Sequence, residues 1–267
     1  MRQPREPRGL RTPADEEAFS PPRGSDRGVS DGVARVGGRR SAYSRRMDFV
    51  FMLTRADRTV GDGLEVLEEI RSLGLLHIGF KDVGIEPAVL GELHARIKAM
   101  GAASYLEVVS TSAEACLQSV RLGSELGVDR LLGGTQVEQA LSILAGSRVE
   151  YLPFAGRPFG HPTRLGGSAE EIAEDCRRAR ELGAAGVDLL AFRATEAEPL
   201  ELVRAARAAM DGTLLVAGGV GTAEQVRVLK AAGVDAFTVG SAVFDGSFAP
   251  HVGSLQAQLK AVMDACS

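Results

Sequence analysis

Residues 214–246 read LLVAGGVGTAEQVRVLKAAGVDAFTVGSAVFDG and contain the clearest strand–helix–strand pattern in the chain. Two continuous apolar runs, predicted as strands over 214–218 and 236–240, are joined by a helical pattern that starts after Gly221. Continuous apolar strands are typical of a parallel sheet that is covered on both faces. The stretch therefore predicts two consecutive strand–helix units of an α/β protein.

Both predicted strands end in glycine. Gly218, Gly219 and Val220 follow the first strand, and Gly240 and Ser241 follow the second. Bare backbone N–H groups can approach an anion at such turns, and the dipoles of the helices that follow favour its negative charge. We expect these five residues to bind phosphate; tight glycine packing without a ligand is the alternative.

The same alternation of apolar runs and amphipathic helical patterns repeats from Met47 onward. Eight strands are predicted, over residues 49–54, 76–82, 104–110, 130–134, 150–154, 187–193, 214–218 and 236–240. This number of units in about 220 residues is typical of an α/β (β/α)8 TIM barrel of the phosphate-binding type. A doubly wound open sheet would carry its glycine-rich loop after the first strand, where this chain has LTRADRT.

Residues 1–46 differ in composition from the rest of the chain. They hold eleven Arg and six Asp or Glu, which leaves 20 basic and 29 acidic residues, a net charge of −9, from Met47 onward. Pro, Gly and Ser are scattered through the segment without periodic apolar residues, so we expect a disordered Arg-rich extension. A start of translation at Met47 is the alternative. The barrel itself is predicted over 47–267.

Composition excludes several classes of protein. The net charge of −4 gives no reason to expect nucleic-acid binding, and no apolar run approaches the roughly 18–20 residues of a membrane span. The three cysteines are far apart, with no CxxC motif and no Cys/His cluster, which predicts packing residues in a reducing cytoplasm. We expect no metal, no cofactor and no membrane partner; a homo-oligomer is compatible with the sequence.

The segment AGGV…AAGVDAFTVGSAVFDG resembles the C-terminal quarter of the ribulose-phosphate-binding barrels. This superfamily includes the histidine-biosynthesis isomerase and cyclase, phosphoribosylanthranilate isomerase, and the indole-glycerol-phosphate and hexulose-phosphate synthases. The resemblance implies that backbone around Gly218, Gly219, Gly240 and Ser241 binds a substrate phosphate. The histidine-pathway isomerases carry Asp after strands one and five, whereas this chain has Leu-Thr and Phe-Ala-Gly there, so that reaction is not predicted.

Charged residues in the second and third strands are the candidates for chemistry. Period-two alternation turns Lys81 and Glu107 toward the interior of the barrel on neighbouring strands, near its mouth. Lys81 is expected to donate a proton or form a Schiff base, and Glu107 to act as general base. A buried ion pair that only holds the barrel closed is the alternative. Asp82 is a third catalytic candidate, because it lies where the strand ends.

Other polar or flexible residues follow strand ends, where the active sites of such barrels form. Asp57 comes soon after the first strand, and the longest strand-to-helix loop spans residues 155–168. The residues predicted to bind substrate are Thr54, Gly134, Arg157, His161 and Arg193.

The sequence therefore favours a metal-independent enzyme that acts on a small phosphorylated substrate, such as a sugar phosphate. An isomerase and a C–C lyase or synthase are the reaction types expected. A Schiff-base aldolase of the deoxyribose-phosphate aldolase kind and a non-catalytic phospholigand-binding barrel are the alternatives.

Overall fold

The computed structural model describes residues 47–110 and 112–267. The prediction for residues 1–46 lies outside these described residues. Eight parallel strands form a nearly closed barrel, in which consecutive strands pair except at the gap between the fifth and the sixth, and the first strand pairs with the last. The barrel strands are β1 (Asp48–Met52), β2 (His77–Lys81), β3 (Ala103–Val108), β4 (Arg130–Gly133), β5 (Glu150–Leu152), β6 (Gly186–Leu189), β7 (Thr213–Val216) and β8 (Ala236–Val239).

Backbone hydrogen bonds connect the residues that follow β5 with β6, at the gap in the sheet. Asp188 N donates to Pro153 O at 2.8 Å and Ala155 N donates to Asp188 O at 3.1 Å. The (β/α)8 TIM barrel predicted from the sequence is thus confirmed.

Helices alternate with the strands. Those described are α1 (Gly63–Ile70), α2 (Pro87–Ala99), α3 (Ala113–Leu126), α4 (Val137–Leu144), α5 (Ala169–Leu182), α6 (Pro199–Ala209), α7 (Ala223–Ala231), the single turn α8 (Ser241–Phe244) and α9 (Leu255–Cys266). Capping boxes start α5 and α7, with Ser168 paired to Glu171 and Thr222 to Gln225. These caps satisfy N–H groups that have no partner within the helix. Among the described residues, no helix is both long and apolar enough to cross a bilayer.

The predicted sixth strand is too long at its carboxyl end. β6 ends at Leu189, and Ala191–Arg193 form a 3-10 turn in which Arg193 N donates to Leu190 O at 2.9 Å. The apolar run continues into this turn, so composition alone does not mark where the strand ends. The turn matters for the site because it places Arg193 at the mouth of the barrel.

Two short antiparallel hairpins lie beyond the carboxyl ends of the strands. The first pairs Thr54–Arg55 with Arg58–Thr59, and the second pairs Arg157–Phe159 with Arg164–Gly166. The first hairpin turns through Ala56 and Asp57, whose φ angles are +47° and +65°. Two left-handed residues are what a two-residue hairpin turn of this type needs, although Asn-Gly is the usual pair. The conformation costs Ala56 roughly 1–2 kcal/mol and directs Asp57 into the barrel mouth.

Candidate active site

A cavity of about 320 Å³ opens at the carboxyl ends of the strands. Charged side chains form one wall: Asp57, Lys81, Glu107 and Arg193. Residues of the turns after β7 and β8 also line the cavity. This is the face of a (β/α)8 barrel at which catalytic residues collect.

Lys81 lies at the centre of the charged wall and is 5% exposed. Its Nζ donates to Asp57 Oδ1 at 2.6 Å and to Glu107 Oε1 at 3.1 Å. Glu107 stands directly beside Lys81 in the register of β2 and β3. The Thr59 hydroxyl fixes the backbone of Lys81, since it accepts from the Lys81 N–H at 2.8 Å and donates to the Lys81 carbonyl at 2.9 Å. The ammonium is thus held between two carboxylates.

Asp57 collects four donors and joins three loops. Besides Lys81, Arg193 Nη1 donates to its Oδ1 at 2.9 Å. The Thr163 N–H and hydroxyl donate to Oδ2 at 2.8 Å and 2.9 Å. Thr163 belongs to the second hairpin, and its carbonyl accepts from Arg193 at 3.0 Å. Both hairpins and the turn after β6 are therefore connected through one carboxylate.

The three central groups have perturbed proton affinities. Burial raises the pKa of Asp57, but the charges of Lys81 and Arg193 outweigh it and hold that pKa well below its usual range. Burial lowers the pKa of Lys81, but Glu107 and Asp57 outweigh it and raise that pKa. Burial raises the pKa of Glu107, and the Lys81 charge offsets this only in part. Lys81 is therefore an ammonium at neutral pH.

Three glycines in the turns after β7 and β8 leave little room for a side chain. Gly218 and Gly219 have φ of +68° and +83°, and a Cβ on Gly218 would lie 2.5 Å from Arg193 Nε. A Cβ on Gly240 would lie 2.5 Å from Thr54 Oγ1. The guanidinium of Arg193 is thus packed on the first turn while it also contacts Asp57.

The remaining predicted phosphate-binding residues also line this cavity. Val220 follows the first glycine turn, and Ser241 follows the second. The Ser241 hydroxyl oxygen accepts from the Ala56 N–H at 3.1 Å, which connects the second turn to the first hairpin. Asp245 adds a negative charge at the rim, where it pairs with Arg55 at 3.1 Å.

The structure places four predicted residues elsewhere. The Asp82 carboxylate accepts from Val109 N at 3.0 Å and from the hydroxyls of Ser110 and Ser119, so it joins β2 to β3 and α3. Successive side chains of a strand point to opposite faces, so Asp82 points away from the cavity because Lys81 points into it. The other three are Arg157, His161 and Gly134.

Those three residues lie in or beside the second hairpin. Arg157 is exposed and pairs with Glu196 at 2.7 Å and with Glu171, while His161 is exposed at the tip of the hairpin. Gly134 lines a separate cavity of about 290 Å³ with Phe159. Arg157 and His161 were predicted because the loop over residues 155–168 is long. The residue of this loop that contacts the site is instead Thr163, through Asp57.

Two carboxylates of the barrel were not assigned from the sequence. Asp57 was noted only by its position, because a left-handed Ala-Asp turn has no sequence signal. Asp188 lies in the middle of an apolar strand and is fully buried. Lys81 and Glu107 are candidates because a buried charge is costly unless it is paired or used. The same criterion applies to Asp188. Among the described residues, no three His, Cys, Asp or Glu side chains are placed to hold a metal ion.

No protein-family model matches the chain, and no curated protein sequence matches it. Solved structures do. A mutant tryptophan synthase α-subunit from Pyrococcus furiosus is 13% identical over 81% of this chain and 98% of that chain, with a TM-score of 0.57. (S)-3-O-geranylgeranylglyceryl phosphate synthase from Thermoplasma acidophilum, solved with its substrate sn-glycerol-1-phosphate, is 15% identical over 83% and 93%, with a TM-score of 0.54.

A chain of the Amycolatopsis orientalis BexX/CysO complex is also similar, at 16% identity over 85% of this chain and 90% of that chain, with a TM-score of 0.56. At these identities the likeness shows the fold alone. The resemblance to the ribulose-phosphate-binding barrels is confirmed as a likeness of architecture.

Proposed function

We propose that the protein is an enzyme that moves a proton beside the carbonyl group of a small phosphorylated substrate. One observation carries the proposal: a buried ammonium between two carboxylates lines the same cavity as two glycine turns at the ends of β7 and β8. Acid–base groups and an anion site on one cavity suit a substrate that has a phosphate at one end and a reacting carbonyl at the other.

The glycine turns supply the phosphate site in this proposal. Backbone N–H groups without Cβ atoms let an anion approach closely. Arg193 supports this assignment because Nη1 makes its contacts to Asp57 and Thr163, while Nε is packed on Gly218. The Nε donor of the guanidinium therefore lies beside the first turn. The Thermoplasma neighbour, whose fold is the same, binds sn-glycerol-1-phosphate.

Lys81 and Glu107 act on the other end of the substrate. The Lys81 ammonium hydrogen-bonds the carbonyl oxygen and stabilises the negative charge that forms when the neighbouring carbon loses a proton. Glu107 accepts that proton and returns it to the same or the adjacent carbon, so the residue ends the cycle as it began. Asp57 fixes the position of Lys81 and stays ionised because of its two cationic partners.

The Schiff-base alternative needs a neutral amine at Lys81. A nucleophilic lysine has a lowered pKa, from burial without a counter-ion or from a neighbouring cation. Lys81 instead has two carboxylates within 3.1 Å, which raise its pKa. The geometry therefore favours a proton donor over a covalent nucleophile at this position.

Proton exchange with solvent tests the function without knowledge of the product. The protein is incubated in heavy water with a panel of phosphorylated aldehydes and ketones, and deuterium at the carbon beside the carbonyl is followed by NMR. We expect exchange on at least one compound, lost in Glu107→Gln and Lys81→Met and retained in Asp82→Asn. Borohydride with the same compounds detects an imine at Lys81.

A trapped imine would overturn the assignment of Lys81 as a proton donor. Binding of many phosphorylated compounds with no exchange on any would overturn the enzymatic proposal and favour a non-catalytic phospholigand-binding barrel. Exchange that persists in Glu107→Gln would remove Glu107 from the role of base.

A further inference from the structure

Asp188 is a buried carboxyl group inside the barrel whose side chain makes no hydrogen bond to any described residue. It is 0% exposed, and neither carboxyl oxygen has a hydrogen-bond partner among the described residues. Register places apolar residues beside it on both adjacent strands, Phe154 after β5 and Leu215 on β7. An ionised carboxylate is very costly in such surroundings, because nothing replaces the water that it loses.

The charges of the barrel mouth do not balance without a proton. The groups that act on Asp188 are Glu107 from β3, Lys81 from β2 and Arg193 from the turn after β6. With Asp57 included, three carboxyl groups face two cations. Both cations contact Asp57, and Lys81 also contacts Glu107. Asp188 contacts neither, so the third carboxyl is the one left for a proton.

We infer that Asp188 holds a proton in the unliganded protein, so that Asp188 and Glu107 carry one proton between them and Glu107 remains the ionised base beside Lys81. Burial and the Glu107 charge both raise the pKa of Asp188, which agrees with this assignment. Asp188 is a positioning residue: it acts through Glu107, and an ionised Asp188 would place a like charge near it. The role in catalysis rests on the proposed function, whereas the location of the proton does not.

Proton balance through the cycle is simple. When Glu107 takes a proton from the substrate, the pair carries two protons; when Glu107 returns it, the pair carries one again. No other reactant is consumed. Two carboxyl groups that interact in this way titrate as a pair rather than as separate residues.

Infrared spectroscopy of the whole protein at neutral pH tests the inference. A protonated carboxyl group has a C=O band separate from that of carboxylates. We expect this band in the wild type and in Asp82→Asn, and its loss in Asp188→Asn. Asn has nearly the shape of a protonated Asp, so the variant is expected to fold. Heavy-isotope labelling of the side-chain carboxyl of aspartate should shift the band, and labelling of glutamate should not.

Labelling decides the question even if Asp188→Asn fails to fold. Absence of the band from the wild type would overturn the inference. A band that shifts with labelled glutamate, or that persists in a folded Asp188→Asn, would also overturn it, because the proton would then lie elsewhere. Failure of the proposed function would appear as absence of substrate exchange and would leave these bands unchanged.

The pH dependence of unfolding provides a second readout of the proton on Asp188. A carboxyl that keeps its proton in the folded state destabilises the fold as pH rises, since the unfolded chain releases that proton near the ordinary aspartate pKa of 3.8. The unfolding equilibrium constant of the wild type, relative to that of Asp188→Asn, should rise about tenfold per pH unit above this value. A constant ratio from pH 4 to pH 7 would contradict a proton on Asp188.

Discussion

Lys81 is stabilised in the barrel because two carboxylates accept from it, at 2.6 Å and 3.1 Å. Transfer of an ammonium group out of water costs several kcal/mol, and only well-placed opposite charges offset that cost. The same contacts decide its chemistry, since they keep Lys81 protonated. One set of ion pairs thus serves the fold and makes Lys81 suitable as a proton donor.

Removal of the Lys81 charge should destabilise the protein strongly. Lys81→Met leaves Asp57 with Arg193 and leaves Glu107 without a cationic contact, and breaking a buried pair in this way costs about 3–5 kcal/mol. The double variant Lys81→Met/Glu107→Gln should recover part of the loss, because no unpaired carboxylate remains on β3. Urea unfolding of the two variants and the wild type measures both effects. A single variant as stable as the wild type would show that the cluster contributes little to the fold.

At the scale of elements, short turns determine where the functional groups lie. The first hairpin places Asp57, the second places Thr163, and the turn after β6 places Arg193. Of these turns and the glycine turns after β7 and β8, only the glycine turns could be predicted from the sequence. The hairpins have no such signal, because their contacts depend on left-handed Ala56 and Asp57 and on Thr163, a small residue that follows the predicted candidates Arg157 and His161.

A substitution in the turn after β7 tests whether this turn binds phosphate. Gly218→Ala puts a Cβ at φ +68° and 2.5 Å from Arg193 Nε. The backbone strain costs roughly 1–2 kcal/mol, and the displaced guanidinium should weaken binding of inorganic phosphate by about tenfold or more, equal to about 1.4 kcal/mol. Isothermal titration measures the affinity.

Gly253→Ala is the matched control for this variant. A Cβ on Gly253 meets no atom within 4 Å, so phosphate affinity should be unchanged. Equal affinity in Gly218→Ala and the wild type would place the phosphate away from this turn.

For the whole molecule, the eight-unit barrel and the mouth at which charges collect could be predicted from sequence. Strand periodicity also correctly predicted that Lys81 and Glu107 meet. The alternation of apolar residues in each strand shows which side chains point inward, and it also constrains how neighbouring strands pair. Asp57 and Thr163 could not be paired in advance, since they are 106 positions apart and meet only through loop conformation. Asp188 could have been noticed by the criterion that identified Glu107.

In the proposed enzyme, one cavity holds a phosphate at the glycine turns and places Lys81 and Glu107 beside the rest of the substrate. A crystal structure of the protein with inorganic phosphate, and with a phosphorylated ketone that shows exchange, would locate both ends of the substrate. We expect phosphate oxygens within hydrogen-bond distance of backbone N–H groups at Gly219 or Ser241, with Lys81 Nζ at the carbonyl oxygen. A phosphate bound beside Gly134, or a carbonyl far from Lys81, would contradict the proposed function.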